Sequence, residues 1–348
     1  MQVENHLNLR GIEFTEFSSE EPSKLHELFL AFGFSRVMRH KEKKIDLYRQ
    51  NQIVFLLNYE PTAFGTNFYQ KHGPCVSSMG WRVEDATYAH ENAIKRGATT
   101  SENKDYQIDN NEIPTIKGIG DSNIYFIDQY QDEGLYERMG FEPLEKPDMV
   151  KDLGFEFIDH LTNNVEQGEM KKWSDFYKDV FGFYEVRYFD IRGVKTGLTS
   201  YALRSPDGSF CIPINEGTEA KSQINEYLEE YKGPGVQHIA LHSSNIIESI
   251  SKLQSTQVET LDIDDEYYQE VFDRVPNVTE DHKKLQDLQI LVDGDDEGYL
   301  LQIFTKNIIG PIFFEIIQRK NHLAFGEGNF GALFRSIERD QEKRGYLK

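Results

Sequence analysis

The sequence has few cysteines, a deficit of basic residues and no long apolar run. Cys75 and Cys211 are its only cysteines, so a disulfide framework is not expected and a reducing cytoplasm suits the chain. With 38 Lys and Arg against 59 Asp and Glu, the net charge is −21. Such a chain lacks the concentrated positive charge that a nucleic acid partner requires. A small molecule is therefore the expected ligand, and nucleic acid is not.

Membrane insertion is not expected either. The longest apolar runs, such as IVFLL at 53–57, are far shorter than a span of about 20 residues. The opening MQVENHLNLR has no basic-then-apolar pattern of a signal peptide. With 38% hydrophobic residues and 13% aromatics, the 348-residue chain is predicted to be a soluble globular protein with two domains.

The chain contains an internal repeat. GIEFTEF from residue 11 and GFEFIDH from residue 154 both predict a strand, because apolar residues alternate. Each strand precedes a segment with apolar residues at helical spacing, and both helices end in FGF, at 32–34 and 181–183. Segments typical of β-hairpins follow in both halves. The sequence thus begins each half with the same order of elements.

The second part of each half repeats as well. GPCVSSMGWRVED at 73–85 and GPGVQHIALHSSN at 233–245 each lead into a predicted helix, the later one capped by Asn245. Aromatic strands at 123–129 and 311–318 close the halves. Each half therefore contains two βαβββ modules, four in all, which predicts an α+β fold.

These landmarks predict two domains, 9–135 and 152–348, joined by a Glu-, Gly- and Pro-containing linker at 133–150. The second domain includes a final helix, in which Phe330, Leu333, Phe334 and Ile337 share one face. We expect this helix to pack back onto the second domain.

Polar residues that occur in only one half are candidates for chemistry. Matching Gly11 with Gly154 places Phe17 opposite His160. Matching the Gly-Pro turns and the closing aromatic pairs gives two further contrasts, namely Ser78 with His238 and Ile127 with Glu315. The second half therefore carries two histidines and a glutamate on three strands where the first half has none.

Two histidines and one carboxylate form the facial triad that holds Fe(II) with positions left open, although zinc accepts the same ligand types. A buried glutamate also needs a cation or a full set of donors. His242 cannot share a metal with His238, because residues four apart on a strand lie about 13 Å apart. The matching segment in the first half does not choose between them, and we favour His238 because it lies nearer the turn.

Two other motifs predict no site. DGDDEG at 293–298 begins like a calcium loop, but Phe304 stands where the twelfth-position glutamate is needed, so a polar hairpin turn is the better interpretation. The glycines at 326, 328 and 331 lack the strand and acidic residue of a dinucleotide site.

The second half also carries a family resemblance. Its motifs include FIDHLTNNV at 157–165, GVQHIAL at 235–241, GPIFFEIIQRK at 310–320 and FGEGNFGALFRSIERDQEKRG at 325–345. Together with GLTSYAL, IPINE and LLQIFTK, these motifs closely resemble 4-hydroxyphenylpyruvate dioxygenase, a two-domain member of the vicinal oxygen chelate superfamily. The first half resembles the metal-free half of that family in layout. The resemblance implies two open-barrel domains of the glyoxalase/bleomycin-resistance/dioxygenase fold.

The resemblance also implies roles for individual residues. It implies one Fe(II) per subunit, bound by His160, His238 and Glu315. It further implies three catalytic amides and six substrate contacts, namely Gln223, Gln237 and Gln302, and Ser200, Asn215, Phe304, Phe325, Asn329 and Phe330. Without the motifs, each of these glutamines and phenylalanines taken singly is better interpreted as an ordinary strand-edge amide or core aromatic.

The activity implied by the resemblance is conversion of 4-hydroxyphenylpyruvate and O2 to homogentisate and CO2 in tyrosine and phenylalanine catabolism. The 2-oxo acid itself supplies two electrons through loss of CO2, so neither NAD nor added 2-oxoglutarate is expected. The resemblance also implies a homodimer or homotetramer.

Three alternatives stay open. 4-Hydroxymandelate synthase shares the implied fold, metal and substrate, but the family pattern for ring hydroxylation has Pro and Phe where this chain has Pro213 and Phe330. An extradiol catechol dioxygenase uses the same ligand order on the same modules. Some bacterial family members are described as haemolysins or pigment proteins, but this sequence has no amphipathic pore segment that would support direct lysis.

Overall fold

The computed structural model describes residues 3–102, 104–193 and 195–347. Two eight-stranded sheets dominate it, one in each half of the chain. Across the described ranges, no helix combines the length and the apolar character needed to cross a membrane.

Within the described residues, the first half contains ten strands and four helices. The strands are β1 (Leu9–Ser18), β2 (Ser35–His40), β3 (Ile45–Gln50), β4 (Ile53–Asn58), β5 (Cys75–Val83), β6 (Gln107–Ile108), β7 (Asn111–Glu112), β8 (Thr115–Lys117), β9 (Asn123–Ile127) and β10 (Phe141–Asp148). The helices are α1 (Pro22–Ala31), α2 (Phe64–His72), α3 (Ala86–Lys95) and α4 (Leu135–Arg138), with a 3-10 turn at Ile119–Asp121.

In the part of the second half that the structure describes, there are eight strands and six helices. The strands are β11 (Phe155–Val165), β12 (Tyr184–Arg192), β13 (Gly197–Arg204), β14 (Cys211–Gly217), β15 (Gly235–Ser243), β16 (Leu291–Gly294), β17 (Tyr299–Phe304) and β18 (Phe313–Lys320). The helices are α5 (Met170–Phe176), which continues into a π-helical turn at Tyr177–Phe181, α6 (Gln223–Tyr231), α7 (Ile246–Leu253), α8 (Tyr267–Arg274), α9 (His282–Asp287) and α10 (Phe330–Lys343). A 3-10 turn at Glu327–Asn329 leads into α10.

The strand orders confirm the predicted α+β fold and its repeat. The first sheet runs β10-β2-β3-β4-β1-β5-β9-β8, and the second runs β12-β13-β14-β11-β15-β18-β17-β16. In the second sheet, β11 to β14 with α5 form one βαβββ module, and β15 to β18 with α7 form another. The final helix α10 is also present as predicted. Helices α2 and α6, which join the two modules of each half, were not predicted.

The first half departs from this plan at its end. Its second module contributes only β5, β8 and β9 to the sheet, and the eighth strand is β10, which pairs antiparallel with β2 at the far edge. Helix α4 and strand β10 lie within 133–150, the segment expected to be a linker. That segment therefore completes the first sheet before the chain enters the second half.

Local signals explain several element boundaries. Asn245 caps α7 as predicted, since its side chain accepts a hydrogen bond from the Glu248 backbone nitrogen. Gly182 ends the turn after α5 at φ +84°, a left-handed conformation that glycine adopts without strain. The DGDDEG segment forms the turn between β16 and β17, in agreement with the hairpin interpretation.

One apolar core extends across both halves. Phe314 of β18 packs on Phe32, with ring centres 4.9 Å apart, and also lies 6.0 Å from Phe55. On another side, Trp81 of β5 packs 4.8 Å from Phe181, at the end of the π-helical turn. All five side chains are fully buried. The strand that carries Glu315 is therefore supported from behind by aromatic residues of the first half.

The strand registers correct two of the three predicted equivalences between the halves. Val76 pairs with Phe17 and Val236 pairs with Asn163, so Phe17 corresponds to Asn163 and not to His160. The residue that corresponds to His160 is Phe14, three positions earlier. The proposed match of Phe17 with His160 was therefore wrong.

The match of Ile127 with Glu315 was wrong as well. Gly80 pairs with Tyr125, and Ala240 pairs with Glu315, so Tyr125 corresponds to Glu315. Only the equivalence of Ser78 with His238 agrees with the registers. The contrast between the halves nevertheless persists, since Phe14, Ser78 and Tyr125 stand where the second half has His160, His238 and Glu315.

Candidate metal centre and substrate pocket

Three neighbouring strands bring His160, His238 and Glu315 together. Strand β15 lies between β11 and β18, and Ala240 of β15 is the partner of both His160 and Glu315. His238 lies two residues before Ala240, on the same face of the sheet, because side chains alternate along a strand. Sheet register alone thus directs the three side chains toward one point.

The donor atoms of this triad lie close enough to hold one metal ion. His160 Nε2 is 3.1 Å from Glu315 Oε2, and His238 Nε2 is 3.3 Å from His160 Nε2 and 3.4 Å from Glu315 Oε2. Ligands about 2.1 Å from an ion would be about 3.0 Å apart at right angles and about 3.4 Å apart in a tetrahedron. Among the described residues, this is the one group of three such side chains with suitable spacing. The donor set and its spacing therefore fit a divalent metal.

The pKa values of the three triad residues are shifted from their ordinary values by burial and by one another. Burial alone would raise the pKa of Glu315, but the two histidines outweigh it and lower the pKa to about 2. Burial likewise opposes protonation of His160, whereas the Glu315 and Asp159 carboxylates raise its pKa to about 9. Burial lowers the pKa of His238. A carboxylate that stays ionised in a buried site is suited to a cation.

Each candidate ligand is held by a second side chain. Asp159 Oδ1 lies 2.8 Å from His160 Nδ1, and Gln237 Oε1 lies 3.0 Å from His238 Nδ1. In both cases the neighbour precedes the histidine in the chain. Such bonds place an N–H on Nδ1 and make Nε2 the atom that can bind a metal.

Glu315 is held by an amide. Gln302 Nε2 donates to Glu315 Oε1 over 3.2 Å, while Glu315 Oε2 faces the histidines. Asn329 Nδ2 in turn donates to Gln302 Oε1 over 3.0 Å, and Tyr267 donates to Asn329 Oδ1 over 2.6 Å. The last turn before α10 is thus linked to the triad by a continuous chain of hydrogen bonds.

A cavity opens beside the triad. Most predicted substrate and catalytic residues line it, namely Ser200, Asn215, Gln223, Gln237, Gln302, Phe304, Phe325 and Phe330, as does Pro213. Asn329 is buried behind Gln302 and does not line the cavity. The structure therefore brings eight of the nine predicted pocket residues to one space, and their roles stay predictions.

Other cavity residues were missed as pocket residues. Thr162 and Phe313 each lie two positions from a candidate ligand, so strand alternation could have identified them. Phe189 and Ile191 line the cavity from β12, where the alternating FDI of the sequence was the available signal. Leu333, Phe334 and Ile337 on the apolar face of α10 also line it. The cavity is therefore apolar and aromatic on most sides, with amides near the triad.

His242 lies outside the triad. Its ring stacks on Phe157 with centres 4.4 Å apart, and its Nδ1 lies 3.1 Å from Glu156 Oε2. This arrangement agrees with the geometric argument that one metal cannot bind both His238 and His242.

The corresponding interior of the first half is filled by a buried carboxyl group. Glu16, the counterpart of Thr162 in the register, is fully buried. Its carboxylate accepts hydrogen bonds from Ser77, Ser78, Asn58 and Tyr106. Burial and the nearby Asp105 raise the pKa of Glu16 to about 7. A hydrogen-bonded cluster thus occupies the interior that forms a cavity in the second half.

Comparison with known proteins agrees with the two-part architecture. A family model described as "Hydroxyphenylpyruvate dioxygenase, HPPD, N-terminal" matches residues 3–142. A second, for the "Glyoxalase/Bleomycin resistance protein/Dioxygenase superfamily", matches residues 157–302. The second match includes His160 and His238 but ends before Glu315.

Curated relatives match almost the whole chain. "Protein MelA" of Shewanella colwelliana is 56% identical over 345 residues, covering 99% of both chains. The "4-hydroxyphenylpyruvate dioxygenase" of Legionella pneumophila subsp. pneumophila is 43% identical over 351 residues, covering 100% of this chain and 99% of the relative. Among solved structures, a mutant of 4-hydroxymandelate synthase from Streptomyces coelicolor superposes with a TM-score of 0.83 over 96% of this chain and 99% of that chain. Its sequence identity is 19%, so that likeness concerns the fold.

Proposed function

The chain belongs to the 4-hydroxyphenylpyruvate dioxygenase family, and from that premise we propose that it converts 4-hydroxyphenylpyruvate and O2 to homogentisate and CO2. The observation that carries the proposal is the buried triad of His160, His238 and Glu315 beside an apolar cavity, present in one half of a duplicated fold and replaced in the other. Nothing in the shared architecture requires these three residue types, so chemistry is the reason for them.

We propose Fe(II), one ion per subunit, as the metal. The triad has the two-histidine, one-carboxylate composition of non-haem Fe(II) oxygenases. Bound Fe(II) would supply the Lewis-acid and redox chemistry for reaction of a 2-oxo acid with O2, which no side chain of the pocket can provide. Asp159, Gln237 and Gln302 would keep the three ligands oriented toward the ion.

The rest of the pocket would bind and orient the substrate. Phe304, Phe325 and Phe330 offer apolar surfaces for the aromatic ring, and α10 closes one side of the cavity. Ser200, Asn215 and Gln223 offer hydrogen bonds to its phenol or carboxylate oxygens. An aromatic lining of this kind excludes water from the reacting atoms and limits the motion of the ring.

We further propose a cytoplasmic enzyme of tyrosine and phenylalanine catabolism, assembled as a homodimer or homotetramer. Cys75 and Cys211 are both buried as free thiols, which supports a reducing compartment. Burial raises the pKa of both thiols, that of Cys211 to about 11, so neither is suited to act as a nucleophile.

Product analysis tests the proposal. Protein loaded with Fe(II) under anaerobic conditions should consume O2 and release CO2 in equal amounts when 4-hydroxyphenylpyruvate is added, and homogentisate should be the product. Glu315→Ala should abolish turnover and weaken metal binding, whereas Ser78→Ala, at the position of the other half that corresponds to His238, should leave both intact. Equal losses in the two variants would contradict the asymmetric site.

The alternatives predict different results. A 4-hydroxymandelate product would instead establish side-chain oxidation. Turnover of a catechol without CO2 release would point to an extradiol dioxygenase. Either result would overturn the proposed reaction while leaving the metal site in place.

A further inference from the structure

A buried ion pair lies directly behind His160. Asp159 Oδ1 lies 2.8 Å from His160 Nδ1, and the Arg319 guanidinium donates to both oxygens of the same carboxylate, from Nη2 over 2.7 Å and from Nε over 2.8 Å. The side chains of Asp159 and Arg319 are only 12% and 11% exposed. Burial of two charges is unfavourable unless both are fully paired, and here the pairing is bidentate.

Arg319 also holds the chain segment 321–325, which leads to Phe325 in the cavity wall. Its Nη1 donates to the backbone oxygens of His322 over 3.1 Å and Ala324 over 2.6 Å. The next residue is Phe325, whose ring centre lies 5.7 Å from the Arg319 guanidinium carbon and 5.5 Å from the centre of the His160 ring. One guanidinium therefore contacts both the carboxylate behind a candidate ligand and the segment that places an aromatic ring against it.

We propose that Asp159 and Arg319 are a positioning pair, which orients His160 for the metal and couples that orientation to segment 321–325. The carboxylate accepts the Nδ1 proton of His160 and so leaves Nε2 as the ligand atom. Because Asp159 is anionic, it also makes His160 a stronger electron donor than His238, whose Nδ1 faces the neutral Gln237 amide. The inference rests on the proposed metal-binding function of the triad.

A second pair in the same domain provides a matched control. His242 also lies on a strand with a carboxylate, that of Glu156, 3.1 Å from its Nδ1, but it takes no part in the triad. Loss of Glu156 therefore removes a similar histidine contact without touching the metal site.

The test is a metal titration of the metal-free protein. Co(II) is added anaerobically, and its visible absorption band reports both affinity and ligand field. Asp159→Asn should raise the dissociation constant 10- to 100-fold, the usual effect of losing such a partner, and should shift the band. Glu156→Gln should leave the dissociation constant within about twofold of the wild-type value. It should also leave the position of the band unchanged. Thermal unfolding of each metal-free variant shows whether the fold is intact.

A second variant separates the two roles of Arg319. Arg319→Lys keeps a cation beside Asp159 but loses the planar fork that reaches both the carboxylate and the two backbone oxygens. We expect faster amide hydrogen exchange in 321–325 and a higher KM, with a smaller loss of Co(II) affinity than in Asp159→Asn.

The outcomes distinguish this inference from the proposed function. A wild-type protein that binds no Co(II) would overturn the metal site itself. Wild-type binding with equal affinity in Asp159→Asn, or an equal loss in Glu156→Gln, would overturn only the positioning pair. If Asp159→Asn does not fold, Arg319→Lys decides, and unchanged exchange in 321–325 together with unchanged affinity would refute the coupling.

Discussion

Replacing Gly326 by alanine tests whether Gln302 must hold Glu315 for the site to work. Gly326 has φ +83°, and a Cβ added there would lie 1.8 Å from Gln302 Oε1, although ordinary contact begins at 3.4 Å. Gln302 would have to move by about 1.6 Å, and its 3.2 Å bond to Glu315 would break.

Two contributions make up the expected effect. A left-handed alanine costs about 1–2 kcal/mol, which lowers the stability of the fold. A hydrogen bond to a charged group is worth about 1.5–3 kcal/mol, and its loss falls on the site itself. Since about 1.4 kcal/mol corresponds to a tenfold change, kcat/KM should fall about 10- to 100-fold, with weaker metal binding.

The assay measures kcat/KM with 4-hydroxyphenylpyruvate and Co(II) affinity in parallel, with Gly208→Ala as the control. Gly208 has φ +78° but no atom within 4 Å of an added Cβ, so alanine there introduces the backbone strain without the clash. Wild-type kinetics in Gly326→Ala, or the same loss in Gly208→Ala, would refute the role assigned to Gln302.

Three further predictions concern residues outside the triad. His242→Phe should leave Co(II) affinity within about twofold of wild type, because His242 lies outside the triad and a phenyl ring can keep its stacking on Phe157. A large loss of affinity would reinstate His242 as a ligand. The pKa of Glu16 is raised from 4.5 to about 7, so its protonated form favours the fold at low pH and that stability is lost as the pH rises through 7. Relative to Glu16→Gln, the wild-type free energy of unfolding should fall by about 3 kcal/mol between about pH 4.5 and pH 8 in urea denaturation, and parallel curves would contradict this. Trp81→Ala should lower the free energy of unfolding by about 3–5 kcal/mol without changing metal affinity, since the ring fills the core between the halves; a loss of affinity at unchanged stability would be the opposite result.

The repeat in the sequence predicted the modules of the second half, and the contrast in residue types between the halves pointed to three residues that the structure brings together. His160, His238 and Glu315 lie on three strands of the second half at places where the first half offers no such set of ligands. Their convergence then follows from the order of β11, β15 and β18 in the sheet.

Exact correspondence between the halves could not be predicted. Matching Gly11 with Gly154 aligns Phe17 with His160, whereas the strand registers align Phe14 with His160, three residues earlier. A shift by an odd number of residues moves a side chain to the other face of a strand. Strand β1 is buried over its last six residues on both faces, so alternation does not specify its register there. The predicted counterpart of Glu315, Ile127, lies two residues from the true one, Tyr125. Both side chains point to the same face of the strand, so the alternation of residues could not reveal the error.

The positioning pair was beyond sequence reasoning for a different reason. Asp159 and Arg319 are 160 positions apart, and a charged residue is ordinarily solvated. Only the pairing of β15 with its two neighbours brings them together. Buried polar contacts between distant segments depend on the assembled sheet, and the local pattern holds no information on them.

The contact of Phe314 with Phe32 bears on how a duplicated gene can evolve. The first half carries none of the three candidate ligands, yet its Phe32 packs against Phe314, on the back of the strand that carries Glu315. Deletion of the first half would expose that side of the strand to water. Selection can therefore change the interior of the first half, as the Glu16 cluster illustrates, while that half itself must be retained.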